Sequence, residues 1–76
     1  MTLKEDVSNI LNNFDSTSSE KIVQTLNEIK SNFKSDLTRD YLQGKIKTVL
    51  SASDESEKKK LCKALLPYFD WYLQGN

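Results

Sequence analysis

Histidine is missing from this chain, cysteine and proline occur once each, glycine occurs twice, and eleven basic side chains are cancelled by eleven acidic ones. Each shortage excludes something. Without histidine there is neither the usual general base nor the commonest metal ligand, so Cys62 has no imidazole to take its proton. One cysteine cannot close an internal disulfide, and a secreted domain of 76 residues would ordinarily be stapled by several. The N-terminus lacks the basic and apolar regions of a signal peptide, and no apolar run approaches the roughly 18 residues of a membrane span. The expected location is the reducing cytoplasm. Zero net charge removes the positive field that generic nucleic-acid binding uses, and the halves differ little, −2 over residues 1–38 and +2 over residues 39–76. Gly44 and Gly75 cannot build a phosphate-cradling loop, and no CxxC, HExxH or EF-hand spacing occurs. The acids are scattered over helix starts and exposed faces. The expectation is a protein without catalytic activity, metal, cofactor or small-molecule substrate.

What the chain does have is an aromatic end. The stretch from Leu61 to Leu73 holds Tyr68, Phe69, Trp71 and Tyr72, four of the seven aromatic residues. On a helical wheel its apolar side chains, Cys62 and Ala64 among them, cover an arc of roughly 220°, far wider than the stripe of about 100° that a surface helix buries. This predicts a final helix wrapped by several partners at the centre of the fold, with Leu65 in the middle of the arc and Cys62 an inert core thiol.

The rest of the chain supplies those partners. Thr2-Leu3-Lys4-Glu5 reads as a capping box, followed by Leu3, Val7, Ile10, Leu11 and Phe14 on one narrow face. Thr17-Ser18-Ser19-Glu20 is a second box, ahead of Ile22, Val23, Leu26, Ile29 and Phe33. Ser35 and Asp36 can cap a third helix, in which Leu42, Ile46, Val49 and Leu50 form the buried face while Leu37, Tyr41, Gly44 and Thr48 line the other side. Gly44 predicts close helix packing. Asp54 and Glu57 repeat the cap spacing, and Asp54 to Lys58 and Glu55 to Lys59 are i,i+4 pairs that account for Lys58-Lys59-Lys60 as a solvated helix start. Pro67 falls on the polar side of the last helix and predicts a kink around the core, with Gly75 closing the helix. The pattern therefore predicts one all-α domain over residues 1–76, an antiparallel four-helix bundle with helices over about 2–14, 18–34, 36–52 and 54–74.

Function follows from exposed side chains. The reading we reach is a protein that binds another protein, of inhibitor, immunity, adaptor or regulatory type, or that pairs with a second copy as a homodimer. Its anchor residues are Pro67, Tyr68, Trp71 and Tyr41, because Trp and Tyr dominate interface hot spots and Trp71 falls at the edge of the apolar arc. The chain is similar in size and composition to small four-helix immunity and inhibitor proteins, a likeness of fold that carries no motif. One alternative is a helix-turn-helix-like nucleic-acid binder with Lys34, Arg39, Lys45 and Lys47 on phosphates. Another is a peripheral membrane bundle docking through Trp71, Tyr72 and the lysines from Lys58 to Lys63.

Overall fold

Five α-helices and a 3₁₀ turn make up the regular structure of the computed structural model, which describes residues 2–75 and contains no strand among them. The helices are α1 (Leu3–Asn12), α2 (Ser19–Lys30), α3 (Asp36–Ser51), α4 (Glu55–Lys63) and α5 (Leu66–Leu73), with the 3₁₀ turn at Phe14–Ser16. Their Cα radius of gyration, 11.6 Å, is close to the value of about 11.4 Å expected for a compact chain of this length.

Local chemistry starts four of these helices. The Thr2 hydroxyl accepts from the Glu5 N–H at 3.2 Å, the Ser35 hydroxyl from the Thr38 N–H at 3.3 Å, and the Asp54 carboxylate from the Glu57 N–H at 2.8 Å. Each satisfies a donor that the first helical turn leaves without a partner. At α2 the cap is Ser18, which accepts from the Lys21 N–H, and not Thr17, whose hydroxyl donates to the Asn13 carbonyl at 2.8 Å. At the far end Gly75 closes α5 with φ +93 and an N–H donated to the Tyr72 carbonyl at 3.1 Å.

The second helix stops at Lys30, short of the expected Lys34, because side chains compete for its last carbonyls. The Ser31 hydroxyl and the Asn32 amide both donate to the Glu28 carbonyl, which the Asn32 backbone N–H would take in a continuing helix. That N–H turns instead to the Ile29 carbonyl at 2.9 Å, and Phe33 drops out of the helix into the core.

The largest departure from the sequence expectation is at the C-terminus. The helix expected over 54–74 is two helices, so the four-helix bundle becomes an arrangement of five. Proline has no N–H and its ring collides with the carbonyl four residues back, here that of Lys63. The chain resolves both problems by ending α4 at Lys63, passing through Ala64 and Leu65, and restarting so that Pro67 lies in the first turn of α5, where no N–H is required. Pro67 thus sits beside a corner and does not kink a continuous helix.

The corner redistributes the core. Val7 and Ile10 of α1, Ile22, Val23, Leu26 and Ile29 of α2, Leu42, Ile46 and Val49 of α3, and Phe33, Cys62, Leu65 and Phe69 are all buried. The central element is α2, which lies against α1, α3, α4 and α5. Its buried face also takes in Ser19 and Thr25 and spans an arc of about 160°. The aromatic α5 is not at the centre; Phe69 is its one fully enclosed residue, while Tyr68 and Tyr72 are half-buried. Two further expectations fail. A Cβ at Gly44 would meet nothing within 4 Å, so the glycine faces open space and serves no close packing. Leu50, at the edge of the α3 face, is 58% exposed.

Candidate interaction surface

Four large apolar residues stand out from the surface: Leu37 at 80% exposure, Leu50 at 58%, Tyr41 at 57% and Trp71 at 48%. Three of them come from α3, whose buried face is set by Leu42, Ile46 and Val49. Leu37, Tyr41, Gly44 and Thr48 fall on the opposite side, within about 60° on the wheel. The fourth, Trp71, comes from α5, which starts after the corner at Ala64 and Leu65.

Between them lies an open groove of about 380 Å³, walled by Tyr41 and Lys45 of α3, by Leu61 and Ala64, and by Pro67, Tyr68 and Trp71 of α5. All four residues expected as partner anchors, Tyr41, Pro67, Tyr68 and Trp71, meet in this one place. The aromatic wall is tied to the core. The Tyr68 ring packs edge-on against Trp71 at 5.6 Å and against buried Phe33 at 6.2 Å, so the indole rests on a ring that itself rests on the interior. Burial, with Tyr41 adding to it, raises the Tyr68 hydroxyl above the ordinary tyrosine value. The Lys45 ammonium lies 5.2 Å from the centre of the Tyr41 ring, within cation–π range.

Trp71 also borders a second depression, of about 480 Å³, together with Phe33, Lys34, Ser35, Thr38 and Gly75. The indole is therefore a ridge with a hollow on each side.

The cations expected to meet phosphates are not gathered. On α3, Arg39, Lys45 and Lys47 are spread over about 200° of the wheel. The Arg39 guanidinium donates to the Phe33 carbonyl and to the Asp36 carboxylate, which ties down the connection before α3. Lys34 and Lys45 line the two different hollows, and Lys47 points to solvent. Of the residues in the membrane alternative, Tyr72 packs partly buried against the core and Trp71 is exposed; no helix among the described residues is long and apolar enough to cross a membrane.

One further cluster escaped sequence reasoning. Glu55 and Lys59 do not pair with each other along α4; both reach across to the α1–α2 connection. The Glu55 carboxylate accepts from the Ser19 hydroxyl at 2.6 Å and from the Ser19 N–H at 2.8 Å. Lys59 donates to the carbonyls of Phe14 and Thr17 and lies 4.4 Å from the centre of the Phe14 ring. The hydrogen bonds from the Ser19 hydroxyl and then from its N–H hold the Glu55 carboxyl below the usual glutamate range. The signal that could have found this clasp is weak: an acid and a lysine one turn apart at a helix start, facing a serine-rich turn that has more donors than its own cap can satisfy.

Cys62 is enclosed, and burial, helped by the Glu55 charge, pushes its thiol up to about 11. Among the described residues no group of three or more Cys, Asp or Glu is placed to hold a metal ion. Over the described residues the protein is all-α and carries an aromatic-walled groove. No family model, curated protein or solved structure matches the chain.

Proposed function

We propose that the protein is a non-enzymatic binding module that takes another protein on the groove walled by Tyr41, Pro67, Tyr68 and Trp71. The observation that carries this reading is Trp71, a large indole left 48% exposed while the ring beneath it is anchored to buried Phe33. An exposed aromatic on a rigid support is the usual form of an interface hot spot, because little side-chain entropy remains to be lost on association. The raised thiol pKa of Cys62 fits a packing role for that residue. Self-association through the same surface is the variant reading.

Trp71→Ala separates surface from core. Half of the indole is in water, so its loss is expected to cost about 1 to 2 kcal/mol of monomer stability, from the edge-on contact with Tyr68 and the buried part of its area, while capture of a partner protein, or dimer formation in light scattering, disappears. A loss of several kcal/mol with association intact would assign the indole to the core and overturn the proposal.

A further inference from the structure

The groove carries more than apolar character, because its charge has one sign. Among the described residues Lys45 is the one charged residue that lines the first hollow and Lys34 the one that lines the second, and no carboxylate side chain among them lines either. Among the described residues the ion pairs are Lys21 with Asp6 and Arg39 with Asp36, so neither groove lysine is paired with an acid. The Lys45 ammonium, held beside the Tyr41 ring, stays at the groove edge within reach of an incoming group.

From this arrangement we infer that the partner segment is an acidic amphipathic helix whose large apolar side chains straddle Trp71 and whose carboxylates meet Lys45 on one side and Lys34 on the other. The inference rests on the reading of this groove as a protein-binding surface and adds the chemistry of what enters it. Hollows of about 380 and 480 Å³ on the two sides of one indole suit two large apolar side chains better than one. A helix supplies such a pair from one face at i and i+3 or i+4. A strand-like ligand has no sheet edge to join, because the described residues contain no strand. A second copy fits poorly for a charge reason. Two-fold pairing over Trp71 would bring both copies' Lys34 and Lys45 into one interface without a lining acid to offset them, and like charges brought together in an interface oppose association.

The test selects ligands from a displayed library of amphipathic helices whose positions flanking the apolar stripe vary freely among Glu, Gln and Lys. Selection is on the full protein, with counter-selection on Trp71→Ala. Trp71 is the only tryptophan, so its fluorescence reports occupancy directly. The expected survivors carry Glu at the flanks, shift the Trp71 emission to the blue, and bind less tightly as salt rises. Lys45→Met and Lys34→Met, each at an exposed position, are each expected to weaken a survivor roughly two- to fivefold, the effect of losing one exposed ion pair. Survivors with Gln or Lys flanks that still require Trp71 would overturn the acidic helix and leave the groove standing. Failure to recover any ligand that distinguishes wild type from Trp71→Ala would overturn both.

Discussion

Leu65 and Trp71 are both apolar residues of the aromatic segment, yet the structure puts them to opposite uses. Leu65 turns the corner between α4 and α5 and is 3% exposed, packed into the core. Truncating it removes buried methyl groups at the corner where α4 ends and α5 begins, and leaves a cavity in the core. Leu65→Ala is expected to cost about 2 to 5 kcal/mol. In a domain of this size each kcal/mol moves the melting temperature by roughly 4 to 8 °C, so thermal unfolding followed by circular dichroism reads it plainly. A change under about 1 kcal/mol would mean that the corner is not packed as described. Cys62, one of the neighbouring core residues, shows the same enclosure chemically. With its thiol near 11 and no exposed surface, it is a space-filling group.

The elements are joined by a few polar contacts as well as by packing. Lys30 donates to the Gln43 amide between α2 and α3, and the clasp from α4 holds the turn between α1 and α2. Glu55 adds two acceptor contacts to the start of α2, whose own cap Ser18 satisfies just one donor. Its carboxyl has a lower pKa in the folded chain than in the unfolded one, so the folded state binds the proton less readily. The clasp's contribution is therefore fully present above the ordinary glutamate value of about 4.3 and is lost as pH falls through the lower folded value. Glu55→Gln, which keeps an acceptor and removes the charge, is expected to lower stability at neutral pH. It should also flatten the acid limb of the stability curve below about pH 4.3. Urea midpoints across that range, compared with wild type, check the point; an unchanged acid limb would show that Glu55 does not hold α2.

At the scale of the whole molecule the chain has little to spare. A domain this short buries only a little over half of its unfolded surface, so about 5 kcal/mol of net stability is a reasonable expectation. That small margin is still cooperative, because α2 lies against the other four helices and none of them can leave without opening the core. The expected behaviour is a single unfolding transition, the same by circular dichroism and by Trp71 fluorescence, and insensitive to a metal chelator. The chelator result follows from the lack of any cluster of ligating side chains among the described residues. Separate transitions by the two probes would mean that α5 melts on its own, and a chelator-dependent spectrum would reveal a metal site that the described residues do not form.

By itself the sequence determined whatever is settled over short distances along the chain. The caps at Thr2, Ser35 and Asp54, the buried stripe of Val7 and Ile10, and the closing role of Gly75 depend on residues within a turn or so of one another, and all are present in the structure. Trp71 is partly exposed as expected, although the wheel that placed it ran through Pro67 as a single helix. Tertiary structure decided the rest. A wheel drawn through Pro67 assumes one axis, and the chain uses two, because ending α4 at Lys63 lets Leu65 reach the core from the corner and Phe69 from α5. Apolar content does not fix position: the aromatic segment is rich in apolar residues, yet α5 is not the central element. Position is set by which helix can touch the most neighbours, and that is α2, where Thr25 can be buried because its hydroxyl donates to the Lys21 carbonyl at 2.9 Å. Glu55 and Lys59 could have paired along their own helix. They turned to Ser19, Phe14 and Thr17 because folding brought backbone groups of the α1–α2 turn within reach, and an exposed i,i+4 pair contributes too little to hold them back.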